Sequence, residues 1–378
     1  MKEIYLDNSA TTKVSRKAAE KAVEIMTVCY GNPSSLHSKG LEAQHEMDKA
    51  RKITAAALGA APEEVYFTSG GTEGNNTAVF GAAHALKRRG NRIVTTALEH
   101  SSVMEAMQQL EKEGFEVVYL SPDSSRKIRS EDISSAITKD TILVSIMAVN
   151  NEVGSIQPIE SVHKAIIAAG SPALFHVDAV QAFMKIPIKP KKYGIDLMTV
   201  SGHKIHAPKG VGALYVRKGV RILPLHFGGL QEKKLRPGTE PIASVCAMGA
   251  AIEEAESISA KTEYIKKLNV LCRNRLSEID GVIINSHEDC LPYIINFSVP
   301  GLRSETMLHF LAERGIYVSS GSACAKGHKS HVLTALGLSD ERIDSAVRIS
   351  FSDENTEEDI DIFIKQLEIG IGTLARKR

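Results

Sequence analysis

No stretch of this sequence is apolar for long enough to cross a bilayer. The longest candidate, Thr141–Asn151, falls far short of the ~20 residues a membrane helix needs. No sign of charge dominates either. Across 378 residues, 46 Lys and Arg meet 45 Asp and Glu, and a net charge of +1 removes the electrostatic case for nucleic acid or an anionic membrane as a direct partner. The basic end, Arg376-Lys377-Arg378, is short and reads as a solvated tail. Cysteine is scarce. Cys29, Cys246, Cys272, Cys290 and Cys324 are odd in number, scattered and without a CxxC pair, which argues against a disulfide scaffold or zinc knot and for a reducing compartment. The start, MKEIYLDNSATT, has no apolar core of a secretory signal, so a cytoplasmic protein is expected. Repeats and low-complexity segments are absent, and 43% hydrophobic with 24% charged residues is an ordinary globular composition.

What is present is an alternation. Short β-branched runs at Val65–Ser69, Arg92–Ala97, Glu116–Leu120, Thr141–Val149, Ala173–Val180, Asp196–Ser201 and Val211–Arg217 read as strands. Segments of helical period, such as Asn75–Arg88, Ser101–Glu113 and Pro158–Ala169, lie between them. This predicts an α/β fold with a mostly parallel sheet and helices on both faces, with an antiparallel edge where the later strands crowd together. From about Thr239 the rhythm changes. A helical pattern over Ile242–Ile279 is too long for one helix and is expected to break; strands follow at Val282–Asn285, Tyr293–Val299, Ile316–Ser319 and Val347–Ser352, then a helix from Thr356. At roughly 150 residues per domain, the length predicts two domains. The expected division is a large domain over 15–255 and a smaller α+β domain over 256–378, with residues 1–14 packing against the smaller one.

Ligands of open α/β sheets sit beyond the carboxyl ends of the strands, so the residues that follow each strand carry the search. After the first comes Gly70-Gly71-Thr72-Glu73-Gly74-Asn75-Asn76 opening a helix, where close backbone approach and free N–H groups make a phosphate cradle or merely a capped turn. It is neither a Walker loop nor a GxGxxG, which weakens a nucleotide reading. Then come Glu99-His100-Ser101 and Asn150-Asn151-Glu152-Val153-Gly154, then Asp178 with Gln181, then Ser201-Gly202-His203-Lys204. Singly, His100 reads as a cap, Asp178 as a helix N-cap and Lys204 as a surface lysine. His203 and His206 have helical spacing but no third ligand follows, so no metal is expected. Together, and in strand-end order, a phosphate cradle, a ring-facing His, an Asp for a pyridinium nitrogen and a Schiff-base Lys are the parts of a pyridoxal-phosphate site.

At these motifs the sequence resembles the cysteine desulfurases, the NifS/IscS branch of the class V aminotransferase family of fold-type I pyridoxal-phosphate enzymes. The resemblance runs nearly end to end: YLDNSATT, YGNPSSLH at 30–37, TSGGTEGNN at 68–76, LEH at 98–100, VNNEVG at 149–154, VDAVQ at 177–181, SGHKIHAPKGVGALYV at 201–216, RPGTEP at 236–241, SSGSAC at 319–324 and VRISFS at 347–352. It implies a large domain built on a mostly parallel mixed sheet, a smaller α+β domain, and a homodimer. Lys204 would hold pyridoxal 5'-phosphate as a Schiff base. Gly71, Thr72, Ser201 and His203 would bind its phosphate, joined by Thr239 of the partner subunit. Asp178 would pair with the ring nitrogen, Gln181 and Asn151 would contact the ring hydroxyl, and His100 would stack on the ring. Arg348 would clamp the substrate carboxylate with Asn32 and Asn151, and Cys324 would accept the sulfur.

The implied reaction converts L-cysteine to L-alanine and leaves a persulfide on Cys324, with Lys204 moving the Cα proton and His100 handling another. A sulfur-acceptor protein, an Fe–S scaffold or a thiolation partner, would take the sulfur onward. The setting of Cys324, between Ser319-Ser320-Gly321-Ser322 and Lys326-Gly327-His328-Lys329, is polar and basic, as a reactive thiol requires. The segment after Cys324 is shorter than in the housekeeping branch, and Gly71 stands where Ala is common. The rival readings are an aminotransferase or selenocysteine lyase of the same fold and, from another class, a non-catalytic phosphate-binding scaffold.

Overall fold

The computed structural model describes residues 2–255, 258–320 and 329–375. After a short β1 (Ile4–Tyr5) come two helices, α1 (Arg16–Thr27) and α2 (Ser38–Leu58), which the strand-helix alternation does not announce. The main sheet then follows: β2 (Val65–Thr68), β3 (Arg92–Thr96), β4 (Glu116–Leu120), β5 (Thr141–Ser145), β6 (Leu174–Asp178), β7 (Leu197–Ser201) and β8 (Gly212–Val216). Its order is β2-β8-β7-β6-β5-β3-β4. The five strands β3 to β7 run parallel, whereas β8 is antiparallel to both β7 and β2. The expected antiparallel edge is therefore β2-β8.

Strands such as TILVS, LMTVS and GALYV are buried along their whole length, because helices cover both faces. Successive residues alternate between two cores. Ile93, Leu143, Leu197 and Leu214 pack with α3 (Gly71–Leu86) and α4 (Ser101–Lys112), through Ala78, Val79, Met107 and Leu110. Val94, Val144, Met198 and Tyr215 face the opposite core, which includes Ala50 and Leu58 of α2 and Cys246 of the helix Ile242–Glu254. Close packing sets where α3 begins. A Cβ built on Gly74 would lie 2.6 Å from Thr199 Cγ2, so glycine is what lets the first turn of α3 lie against β7.

The long helical pattern breaks as expected, into Ile242–Glu254 and Ile258–Ser277. Next come β9 (Ile283–Ile284), β10 (Ile294–Ser298), β11 (Ile316–Tyr317) and β12 (Ala346–Ser350), with β9-β10-β12 forming an antiparallel sheet. β1 pairs in parallel with β11, and Asp7 bridges to Ser350. The acidic stretch after β12 has a local reason. Thr356 and Asp359 form a capping box, and Glu357, Glu358 and Asp359 complement the positive end of the helix Glu357–Thr373.

The turn before the RPGT motif stores strain. Glu232, Lys233 and Lys234 have φ of 42°, 54° and 67°, left-handed values that side chains resist. Glu232 holds the turn: its carboxylate accepts from Arg51 Nη2 at 2.5 Å, Arg51 Nη1 at 2.9 Å and the Phe67 backbone N–H at 2.9 Å. Lys234→Gly is therefore expected to stabilise the fold by about 1 kcal/mol. Arg51→Met, which strands the buried Glu232 carboxylate, is expected to cost about 3 kcal/mol. Denaturant unfolding of the two variants measures both, and destabilisation by Lys234→Gly would refute the strain.

Candidate functional site

A cavity of about 250 Å³ opens at the carboxyl ends of β2, β3, β5, β6 and β7. Gly71, Thr72, His100, Asn151, Asp178, Gln181, His203, Lys204 and Arg348 all line it, so nine residues singled out in the sequence meet in one place. Asn32 and Thr239 lie on the exposed surface outside it; Asn32 Oδ1 accepts a local hydrogen bond from Ser34 N–H. Cys324 falls outside the described residues.

On the β2 side, Gly70 has φ 147°, and α3 starts at Gly71 with no side chain capping its N-terminus. Its first N–H groups thus face the cavity as anion donors. Beside them, at the end of β7, Ser201 Oγ is buried without a hydrogen-bond partner among the described residues. A hydroxyl left so is costly, and an anion in the cradle would satisfy it. On the β6 side, Asp178 Oδ2 accepts from Asn75 Nδ2 at 2.7 Å and Oδ1 from Val180 N–H at 2.9 Å. The carboxylate is fixed and buried, suited to a cationic ring nitrogen.

His100 is both cap and wall. Its Nδ1 accepts from Ser102 N–H at 3.1 Å and lies 2.9 Å from Ser102 Oγ, capping α4. The neutral ring therefore carries its proton on Nε2, which has no partner among the described residues. Burial lowers its pKa against the pull of Asp178, so the ring is neutral near pH 7. His203 is lowered to about 4, by burial and then by the Lys204 charge.

Lys204 projects from the short turn after β7, Gly202–Lys204. Its Nζ donates to the Ser9 and Ala10 carbonyls at 2.5 and 2.8 Å. Burial, followed by the Arg348 and Lys185 charges, lowers its pKa to about 7, with Asp7 and Asp178 opposing. An amine with that pKa is about half neutral, and so available as a nucleophile, near pH 7. Across the cavity Arg348, 1% exposed, comes from β12. Its Nη2 donates to Asp7 Oδ1 at 2.8 Å and Nη1 to the Asn151 carbonyl at 2.9 Å, while Nε is buried without a partner. A fixed guanidinium with donor capacity to spare is suited to a carboxylate.

Sequence reasoning assigned no role to several walls. Asn75 lies four residues after Gly71 and three after Thr72, hence on the same helix face, and that spacing was the available signal. Ser9 and Ala10 act through backbone carbonyls, which leave no mark in side-chain identity. Glu99 is fully buried behind His100. It accepts from Met147 N–H at 2.9 Å and Thr96 Oγ1 at 2.7 Å, and burial pushes its pKa up to about 8. Cys246 and Cys290 are buried with thiols pushed up to about 12 and 11, and none of the four described cysteines lines the cavity. Among the described residues no cluster of His, Cys, Asp or Glu could hold a metal ion, and no helix is long and apolar enough to cross a membrane.

The donor set fits a phosphorylated aldehyde with a basic ring nitrogen. The uncapped helix and orphaned Ser201 hydroxyl suit the phosphate, Asp178 the ring nitrogen and Lys204 the aldehyde carbon. Comparison with known proteins leads to the same place. The Aminotransferase class-V family profile matches residues 4–363. The cysteine desulfurase IscS of Methanosarcina thermophila is 43% identical over 367 residues, covering 95% of this chain and 90% of that protein. The cysteine desulfurase IscS of Clostridium botulinum is 42% identical over 373 residues, covering 97% and 94%. A solved structure of a NifS-like protein superimposes with a TM-score of 0.94 at 39% identity, covering 99% of this chain and 100% of that one. The chain belongs to the class V aminotransferase family, on its cysteine desulfurase branch.

Proposed function

We propose that this chain converts L-cysteine to L-alanine and passes the sulfur to its own Cys324, using pyridoxal 5'-phosphate held at Lys204. One observation carries the reading: an amine of lowered pKa, Lys204, faces the same cavity as the buried, doubly hydrogen-bonded Asp178. When bound, the cofactor's protonated ring supplies an electron sink for bond cleavage at the substrate α-carbon.

The chain's own residues divide the remaining work. Gly71, Thr72, Ser201 and His203 bind the phosphate, and Gln181 and Asn151 take the ring hydroxyl. Asp178, oriented by Asn75 and Val180 N–H, holds the ring nitrogen protonated. Arg348 binds the substrate carboxylate with Asn151 beside it, while Asn32, exposed outside the cavity, takes no part within one subunit. Lys204 takes the α-proton from its station at the Ser9 and Ala10 carbonyls. His100 stacks on the ring and handles a second proton at Nε2, because Nδ1 is committed to Ser102. The Cys324 thiolate would attack the substrate sulfur, so that the enzyme's S–S bond forms as the substrate C–S bond breaks, its electron pair staying on the β-carbon, which takes a proton to become the methyl group of alanine. Support for its reach lies on either side of it. Ser319 pairs with Arg348 through both backbone groups, and Ser330 donates to Glu152 Oε2 at 2.6 Å.

The division of labour follows the proposed domains: 15–255 holds the cofactor, and 256–378, joined by residues 1–14, brings Arg348 and Cys324 to it. A second copy of the chain suits the exposed apolar side chains Leu36, Phe227 and Leu230. In such a homodimer Thr239 of the partner subunit would complete the phosphate cradle. A cytoplasmic location keeps the thiol reduced, and a sulfur-acceptor protein, an Fe–S scaffold or thiolation partner, relieves it of sulfur.

Lys204→Ala is expected to abolish both the yellow absorbance of the bound cofactor and alanine release. Cys324→Ala should keep the yellow band but lose persulfide formation and drop alanine release on the order of a thousandfold. Alanine and sulfide assays with L-cysteine and a thiol check this; full alanine release by Cys324→Ala would instead favour an aminotransferase. Arg348→Lys should raise KM for cysteine about a hundredfold with the band intact, because a lysine cannot reproduce the guanidinium fork. An unchanged KM in steady-state kinetics would remove Arg348 from the carboxylate site.

A further inference from the structure

One buried cation near the site has no part in the chemistry above. Lys185 is only 8% exposed, and no carboxylate pairs with it among the described residues. Its Nζ donates to Gln181 Oε1 at 3.2 Å and lies 5.5 Å from the centre of the Tyr293 ring. Burying an ammonium without a counter-ion is costly, so a lysine kept in such a place invites a reason.

The hydrogen bonds supply one. An ammonium only donates, so Gln181 must turn its Oε1 to Lys185 and its Nε2 to the Ser9 carbonyl, 2.9 Å away. That same carbonyl accepts from Lys204 Nζ at 2.5 Å. Lys185, Gln181, Ser9 and Lys204 thus form a chain linking two amines through one shared acceptor. The two lysines also meet at a second, smaller cavity of about 50 Å³ behind the site, which both of them line.

We propose that Lys185 is a positioning residue which, through Gln181 and the Ser9 carbonyl, fixes where the Lys204 amine sits and disfavours its ammonium form. The surrounding charges agree. Those facing Lys204 are Asp7 from the N-terminal segment, Asp178 from β6, Lys185, Arg348 from β12, and the imidazoles of His100 and His203. The two carboxylates favour the charged amine, whereas Arg348 and Lys185 oppose it. Around Lys185 lie Arg348, Lys204 and Tyr293, with His206, Lys261 and Asp353 across the small cavity. Burial and Arg348 lower Lys185 itself to about 8, so it retains most of its charge at pH 7. Burial, then the Arg348 and Lys185 charges, lower Lys204 to about 7.

This inference rests on Lys204 being the residue that captures pyridoxal phosphate, and the test separates the two. The full-length chain is stripped of cofactor. Growth of the yellow band on adding pyridoxal phosphate is then followed from pH 6 to 9 in wild type and Lys185→Met, with Lys204→Ala as blank. In wild type the capture rate should rise with pH around a midpoint near 7. In Lys185→Met the midpoint should move to higher pH, with an unchanged or raised melting temperature. If Lys204 becomes about tenfold less acidic, its neutral fraction at pH 7 falls from about half to about a tenth, so capture slows about fivefold. An unchanged midpoint in the variant overturns the proposal, as does a wild-type midpoint in the ordinary lysine range. Failure of Lys185→Met to fold also overturns it, since the residue would then be structural. Absence of a yellow band in wild type overturns the assignment of Lys204 itself.

Discussion

The N-terminal segment from Asp7 to Thr12 joins the β9-β10-β12 sheet to the end of the main sheet, and the site exists only where it is held. On one side it is bound to β12: Asn8 Nδ2 donates to the Ser350 carbonyl, Ser9 N–H to Ser350 Oγ, and Asp7 pairs with Arg348. On the other it is bound to the lysine turn. The Ser9 and Ala10 carbonyls accept from Lys204, Thr12 donates to the His203 carbonyl, and Thr12 Oγ1 accepts from His206 N–H. Arg348 and Lys204 are thus referenced to one strip of backbone, which turns at Asn8–Ala10. Detaching that strip would misplace both, although neither sheet would lose a strand of the main core.

Electrostatics explain why the arrangement tolerates so much burial. Arg348, Lys204 and Lys185 bring as many as three positive charges to a small volume, against the carboxylates of Asp7 and Asp178. Burial raises the Asp7 pKa while Arg348 pulls it down, so this pair screens the guanidinium without neutralising the whole site. The cheapest adjustment left is for an amine to shed its proton, and burial with the neighbouring charges lowers both lysines from the ordinary range. A reactive amine is in this sense the way the site relieves its own excess of charge.

The sequence was most legible where one strand ends and a side chain must point into the cleft. Seven strand runs, their order of motifs and the meeting of His100, Asp178 and Lys204 all follow from short β-branched apolar runs and the rule that ligands gather at carboxyl ends. Helices α1 and α2 were not legible, since no strand of the main sheet precedes them and alanines and charges blur the apolar stripe of α2. Neither were contacts made by main-chain atoms. Nothing in the letters Ser9-Ala10 says that their carbonyls will hold a lysine from 194 or 195 residues away. The left-handed turn at Glu232–Lys234 was hidden for a related reason: its φ values are those of glycine, yet three long polar residues occupy it. Arg51, remote in sequence, supplies the restraint.

The polar atoms left unsatisfied show how much of the site is arranged for a partner. Ser201 Oγ, Ser9 Oγ, Asn75 Oδ1 and Arg348 Nε are all buried without a hydrogen bond among the described residues, and each belongs to a residue in or beside the cavity wall. Asn150, next to the cavity-lining Asn151, is by contrast fully occupied: it accepts from Glu152 and Val153 N–H and donates to the Leu98 carbonyl. Unpaired buried groups occur elsewhere too, at Thr95, Tyr215 and Asn296, but these four border a cavity, where a ligand can reach them and complete a hydrogen-bond network whose frame the fold has already built.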